Sequence, residues 1–181
     1  MILLILGMIL WIGAHLLKRV TPYFRASLGD KGRGVIALAL GIGLVLIIVG
    51  YRMADTIPVW SPPAFFVHIN NLLMVVAVAV FAMAHTKGRL RGRMRHPMLA
   101  SVKLWAFAHL LVNGDLASII LFGGMLAWAV VSVILINKQT TWDRPAPGDK
   151  GRDWLFVAIT VGVFAVIVVI HMALGVNPFP G

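Results

Sequence analysis

The 181-residue chain contains no cysteine. That excludes disulfides, thiolate metal sites and cysteine nucleophiles. It contains no glutamate either; all six acidic residues are aspartates. Few carboxylates fall within its apolar stretches, which disfavours a Mg or Ca site built on oxygen ligands. Charge of either sign is scarce. Only 12% of residues are charged and 60% are hydrophobic, whereas a soluble domain is about a quarter charged and about half apolar. The departure is that of a membrane protein. The formal net charge is +10. In a soluble chain this would suggest nucleic acid, but here the basic residues are first of all topology signals.

A helix crossing the hydrocarbon core needs about 20 apolar residues, with a range of about 17–25. Six stretches qualify as candidates: Met1–Leu17, Gly34–Gly50, Ala64–Ala84, Met98–Val112, Leu116–Ile136 and Trp154–Gly175. The first has the length of a signal-peptide core. It lacks a basic leader and a small-residue cleavage site, so it is expected to be a retained span. The fourth is short and contains Lys103. Its neighbours argue for counting it. Lys18, Arg19, Arg25, Lys31 and Arg33 follow span one, Lys87, Arg89, Arg91, Arg93 and Arg95 follow span three, and Lys138, Arg144, Lys150 and Arg152 follow span five. Fourteen of the 16 basic residues thus lie in odd-numbered connections. Cytoplasmic loops carry the Lys/Arg excess. The expected architecture is an all-α integral membrane bundle of six transmembrane helices, with both termini non-cytoplasmic. Removing span four would put one basic cluster on the wrong side.

The basic runs are explained by orientation and contact with anionic lipid. "KGRLRGRMRHP" has no interleaved aromatics for stacking on bases, so the lipid bilayer is the expected partner and nucleic acid is not. "IPVWSPPAFF" reads as an interfacial entry with a Trp anchor and prolines at a helix start. "TTWDRPAPGDKGRD" reads as a loop with Pro and Gly breakers. Small residues at Gly41, Gly43, Gly123 and Gly124 permit close helix contacts, within the chain or between chains.

Six histidines are present, and the topology assigns each a depth. His15, His85 and His96 form a layer toward the cytoplasmic side. His68, His109 and His171 form an outer layer. Ionisable groups inside spans are functional candidates by default. His85 and His96 also fit an interfacial role beside phosphates, and His68 can bond to Asn71 or another helix. Lys103 lies roughly 9 Å along the helix from Pro97 at 1.5 Å per residue. Its side chain points back toward the cytoplasmic end, so it either snorkels to phosphates or binds a carboxylate or phosphate of a buried ligand. His109 is deeper and lacks an interfacial explanation. Two imidazoles from different helices can hold a haem iron; non-haem Fe or Zn on three histidines is the alternative.

The stretch "LRGRMRHPMLASVKLWAFAHLLVNGDLASIILFG" resembles the NnrU family of membrane proteins in its Arg-His-Pro, its Trp, its His-Leu-Leu and its Asn-Gly-Asp. "GAHLLKRV" at His15 and "HMALGVNP" at His171 extend the resemblance to nearly the whole chain, which is expected to form a single transmembrane NnrU-like domain over residues 1–181. The family is linked by name and context to nitrite and nitric oxide reduction in denitrifying bacteria. It is also similar to the 15-cis-zeta-carotene isomerase of plants and cyanobacteria, a membrane haem b protein with axial histidines. There Arg-His-Pro is followed, at the same interval, by an Ala-His that matches Ala108-His109. The resemblance implies haem b as cofactor and His109 as an axial ligand, with His15 as the best match for its partner. Counted from the inner helix ends, His15 and His109 differ in height by roughly 10–15 Å, so by depth alone His171 or His68 is the easier partner. Lys103, Arg95 and His96 would stand near the propionates.

The resulting expectation is a haem-binding, redox-active protein of the bacterial cytoplasmic (inner) membrane. It would act in electron transfer, isomerisation or a nitric-oxide-linked step, with a small apolar substrate or nitric oxide as ligand and a redox partner that the sequence does not name. Two alternatives belong to other classes. Arg-His-Pro also occurs in membrane methyltransferases that use S-adenosylmethionine, but these pair it with downstream glutamates, and here only Asp143, Asp149 and Asp153 follow Asp115. A non-catalytic assembly or transport factor is the other.

Overall fold

A computed structural model describes residues 1–179. Its helices are α1 (Ile2–Val20), α2 (Pro22–Ser27), α3 (Gly32–Arg52), α4 (Phe66–His85), α5 (Pro97–Val112), α6 (Leu116–Gln139) and α7 (Asp153–Ala173). Residues Ile119–Gly123 of α6 are π-helical, and a 3-10 turn, Lys150–Arg152, leads into α7. The described residues contain no β-strand, only an isolated bridge between Pro58 and Asp115. The helices match the expected spans to within a few residues. Asn113 and Gly114 separate α5 from α6, as the helix-breaking triplet requires, and Asp115 caps α6. The short α2 and the π-helical stretch were not anticipated.

Five segments are long and apolar enough to cross a membrane: Ile2–Val20, Gly32–Arg52, Phe66–His85, Leu116–Gln139 and Lys150–Ala173. α5, with 16 residues, extends about 24 Å at 1.5 Å per residue, short of the roughly 30 Å hydrocarbon core. Apolar side chains face outward. Val157, Val161 and Val169 on α7 are 58%, 64% and 65% exposed, and none of the best apolar window of that segment is buried. Water would not tolerate so much contiguous apolar surface; lipid does. The chain is a multi-pass membrane protein. On α2, Tyr23 and Phe24 are exposed beside Arg25, the composition of an interfacial anchor.

The chain forms two compact units. The first comprises Met1–Ser61 and Asn113–Lys138; the second comprises Pro62–Val112 and the chain from Gln139 onward. In the first unit α1 and α3 meet backbone to backbone. A Cβ placed on Gly7 would lie 2.7 Å from the Ile47 nitrogen and 2.9 Å from the Gly43 oxygen, and one on Gly50 would strike Leu4. Lipid gives no hydrophobic drive for helix pairing, so close van der Waals approach through small residues replaces it. Of the glycines singled out from sequence, Gly43 lies in this seam and Gly124 abuts Met8 of α1, whereas Gly41 and Gly123 face open space. The start of α6 is tied to the 57–60 loop: Val59 N–H donates to Gly114 O (2.8 Å) and Leu116 N–H to Ile57 O (2.9 Å).

The second unit is built from α4, α5 and α7. Ala106 and Ala108 of α5 are 0% exposed, and α5 packs along α4. Two basic loops are laced together at one end. Arg95 donates to Thr140 O (2.7 Å) and Thr140 Oγ1 (2.9 Å), Arg144 Nε to Gly92 O (2.9 Å), and Gly148 N–H to Gly88 O (3.0 Å). Arg89 pairs with Asp153 through its guanidinium and also donates its backbone N–H to the same carboxylate (2.9 Å).

Candidate functional site

In the second unit, α5 begins where proline allows. Arg95 and His96 precede Pro97, whose ring excludes a helical conformation for the residue before it and suits the first helical turn. Ala100 N–H then donates to His96 O (2.9 Å). Three turns on, the His109 ring lies against Trp105 with centroids 5.5 Å apart, and His109 Nδ1 donates to Trp105 O at 2.9 Å. On α7, His171 Nδ1 donates to Ile167 O at 2.8 Å. A carbonyl oxygen can only accept, so each Nδ1 carries its proton. In the neutral ring the lone pair is then on Nε2, the arrangement in which a histidine ligates through that atom. Both histidines belong to the second unit, and each is held by the carbonyl of a residue on the wall of one cavity.

The carbonyls that hold those rings belong to residues that line a cavity of about 230 Å³. Its wall is formed by α4, α5 and α7, including Met74, Ala77, Phe81, Ser101, Trp105 and Ile167. Ser101 is its single hydroxyl-bearing residue. The volume is below the roughly 300–1,000 Å³ of pockets that take drug-sized ligands, so the cavity is not a slot for a macrocycle.

His15 belongs to the first unit. Its Nδ1 donates to Trp11 O at 2.9 Å, the same lock as at His109 and His171. Its ring meets two indoles, 4.4 Å from Trp11 and 4.7 Å from Trp128, which also meet each other at 6.1 Å. The Nε1–H groups of both tryptophans are buried with no hydrogen-bond partner among the described residues. Orphaned donors in a transmembrane unit are costly, because the hydrocarbon core supplies no water to satisfy them.

The remaining predicted residues are spread more widely. Lys103 is half-buried on α5, and no hydrogen bond or ion pair of its side chain occurs among the described residues. Arg95 is held by Thr140, and His96 is half-buried at the foot of α5. His68 and His85 are exposed, His85 against Phe81. Among the described residues no three His, Asp or Glu side chains gather as a metal site. The donor chemistry is of the kind that suits haem: His15 in the first unit, and His109 and His171 in the second, each carry the ring proton on Nδ1. Two features escaped the sequence reading, namely the tryptophan pair around His15 and Ser101 in the cavity wall. A tryptophan at i−4 from a histidine was visible at both Trp11 and Trp105, and it is the signal that would have located the first of them.

A family model described as NnrU protein matches residues 3–178 of the chain. No curated protein and no solved structure matches it. The chain belongs to the NnrU family.

Proposed function

We propose, with NnrU membership as the premise, that the protein is a redox-active haem b protein of the bacterial cytoplasmic membrane. It would serve nitrite or nitric oxide reduction or a haem-dependent isomerisation. The observation that supports this most is the repeated imidazole lock. His109, His171 and His15 each donate Nδ1–H to the carbonyl four residues back, at 2.8–2.9 Å. The backbone thereby sets ring orientation and tautomer before any ligand arrives. In this reading His109 and His171, both of the second unit, would hold the haem iron. His15 is the candidate that the family resemblance supplies. When bound, haem would provide a one-electron couple and, where one imidazole leaves, an open coordination position for a small ligand. Lys103, with its ammonium unengaged, and Arg95 are the cations for the propionates.

The proposal includes six crossings with both termini non-cytoplasmic. α5 is the sixth, and the alternation of basic loops supports counting it. The methyltransferase reading gains nothing from the acids downstream of Asp115. Asp153 is paired with Arg89, and Asp149 caps its own turn through Gly151 N–H (2.8 Å). Haem content is the direct test. Protein purified from haem-supplemented cells should carry haem b by pyridine haemochrome assay, and His109→Ala should lose most of it. Wild-type protein without haem would refute the reading.

A further inference from the structure

We propose that the cavity of the second unit is the seat of a small, mostly apolar ligand that carries one hydroxyl or carbonyl oxygen, held by Ser101. The inference goes beyond the haem reading and does not depend on it. Three observations support it.

The first is size. A dry cavity of about 150 Å³ accepts benzene. At that ratio, roughly 25 Å³ per heavy atom, the 230 Å³ here, partly open at its mouth, seats about nine heavy atoms of a ligand. The second is the wall. Met74, Ala77 and Phe81 of α4, Val102 and Trp105 of α5, and Ile167 of α7 present apolar surface. A buried water needs two to four polar partners, and this wall offers one. The occupant that fits has an apolar body and a single polar atom.

The third observation is that polar atom's partner. Ser101 is 8% exposed. A helical hydroxyl normally satisfies itself on its own backbone, and Thr160 of α7 does so, donating to Phe156 O at 2.7 Å. Ser101 makes no such bond, nor any other side-chain hydrogen bond among the described residues. A hydroxyl with no protein partner gains from one in an apolar setting. It is free to donate once and accept twice, so it suits an alcohol, a phenol or a ketone. The seat also has a chemical neighbourhood. Trp105 and Ile167 line it, and their carbonyls hold His109 and His171. A ligand there lies within about one helical turn of both imidazoles.

Trp105 makes the seat observable. Bromobenzene and 4-bromophenol, both of the right size, quench indole emission on contact. The experiment titrates each into the full chain in detergent micelles, with and without haem loading. Saturable quenching is expected for both, absent in Trp105→Phe, with 4-bromophenol binding about fivefold more tightly, the worth of one neutral hydrogen bond. Ser101→Ala should erase that preference, and Ala77→Leu, which fills the cavity, should weaken both probes. Ser101→Ala is small enough to fold even where Ala77→Leu does not. Quenching that stays linear, as for simple partition into micelles, overturns the proposal, as does a phenol preference that survives in Ser101→Ala. Saturable binding in protein that takes up no haem would support this seat and refute the haem reading separately.

Discussion

Gly7→Ala places one methyl group where the α1–α3 seam has no room. The new Cβ would stand 2.7 Å from Ile47 N, 2.9 Å from Gly43 O and 2.9 Å from Ile47 Cγ1, against the 3.4 Å at which ordinary contact begins. Two of the three obstacles are backbone atoms, so no rotamer change relieves them and the helices must move apart. Overpacking of this kind costs about 1–3 kcal/mol. The natural reference is Gly13→Ala on the same helix, where nothing lies within 4 Å of the new Cβ. Both substitutions gain the same helix-propensity term of about 1 kcal/mol, which cancels in the difference. Gly7→Ala should therefore be less stable than Gly13→Ala by about 1–3 kcal/mol. The assay is unfolding in mixed micelles as the mole fraction of sodium dodecyl sulfate rises, followed by far-ultraviolet circular dichroism. Two variants that agree to within about 0.5 kcal/mol, the scatter of surface substitutions, would refute the close-approach account of the seam.

Other outcomes follow from the same structure. Asp115 accepts from Ser118 N (2.9 Å) and Ser118 Oγ (2.5 Å), and Tyr51 O–H in turn donates to Ser118 Oγ (2.8 Å). Asp115→Ala removes the cap of α6 and should cost about 1–2 kcal/mol, while Tyr51→Phe should cost about 1 kcal/mol, both read by the same unfolding assay. The absence of cysteine makes topology directly testable with single introduced thiols. Lys87→Cys and Thr141→Cys should react with an impermeant maleimide only from the cytoplasmic side, and Thr56→Cys only from the other. Labelling of Lys87→Cys and Thr141→Cys from opposite sides would mean that α5 and α6 do not both cross.

The spans were legible because three signals coincide at their ends. Apolar runs stop at basic clusters, prolines stand at helix starts, and Asn113-Gly114-Asp115 separates α5 from α6. What faces what was less legible. Gly41 and Gly43 look alike in sequence, yet Gly43 lies in the seam and Gly41 faces open space. An apolar stripe all round a lipid-facing helix gives no period from which to choose between them. The π-helical stretch at Ile119–Gly123 also leaves no mark in "IILFG". Ordering the histidines by depth put His68, His109 and His171 in one layer; all three lie in the second unit, but so do His85 and His96 of the other layer. Ser101 was overlooked because a single serine in a span ordinarily bonds to its own helix. Only its place in the cavity wall distinguishes it; Ser132, also buried in a span, has no side-chain hydrogen bond among the described residues either.

The proposed function requires that imidazoles locked by the backbone hold a haem iron. A reduced-minus-oxidised absorption spectrum of the purified protein and of His109→Ala, His171→Ala and His15→Ala tests it most directly. The account predicts a Soret band and sharp visible bands in the wild type, their loss in His109→Ala, and a change of ligation in His171→Ala with His15→Ala spared. The same changes in His15→Ala, with His171→Ala unaffected, would move the second ligand to His15. A spectrum in His109→Ala identical to that of the wild type would contradict the claim.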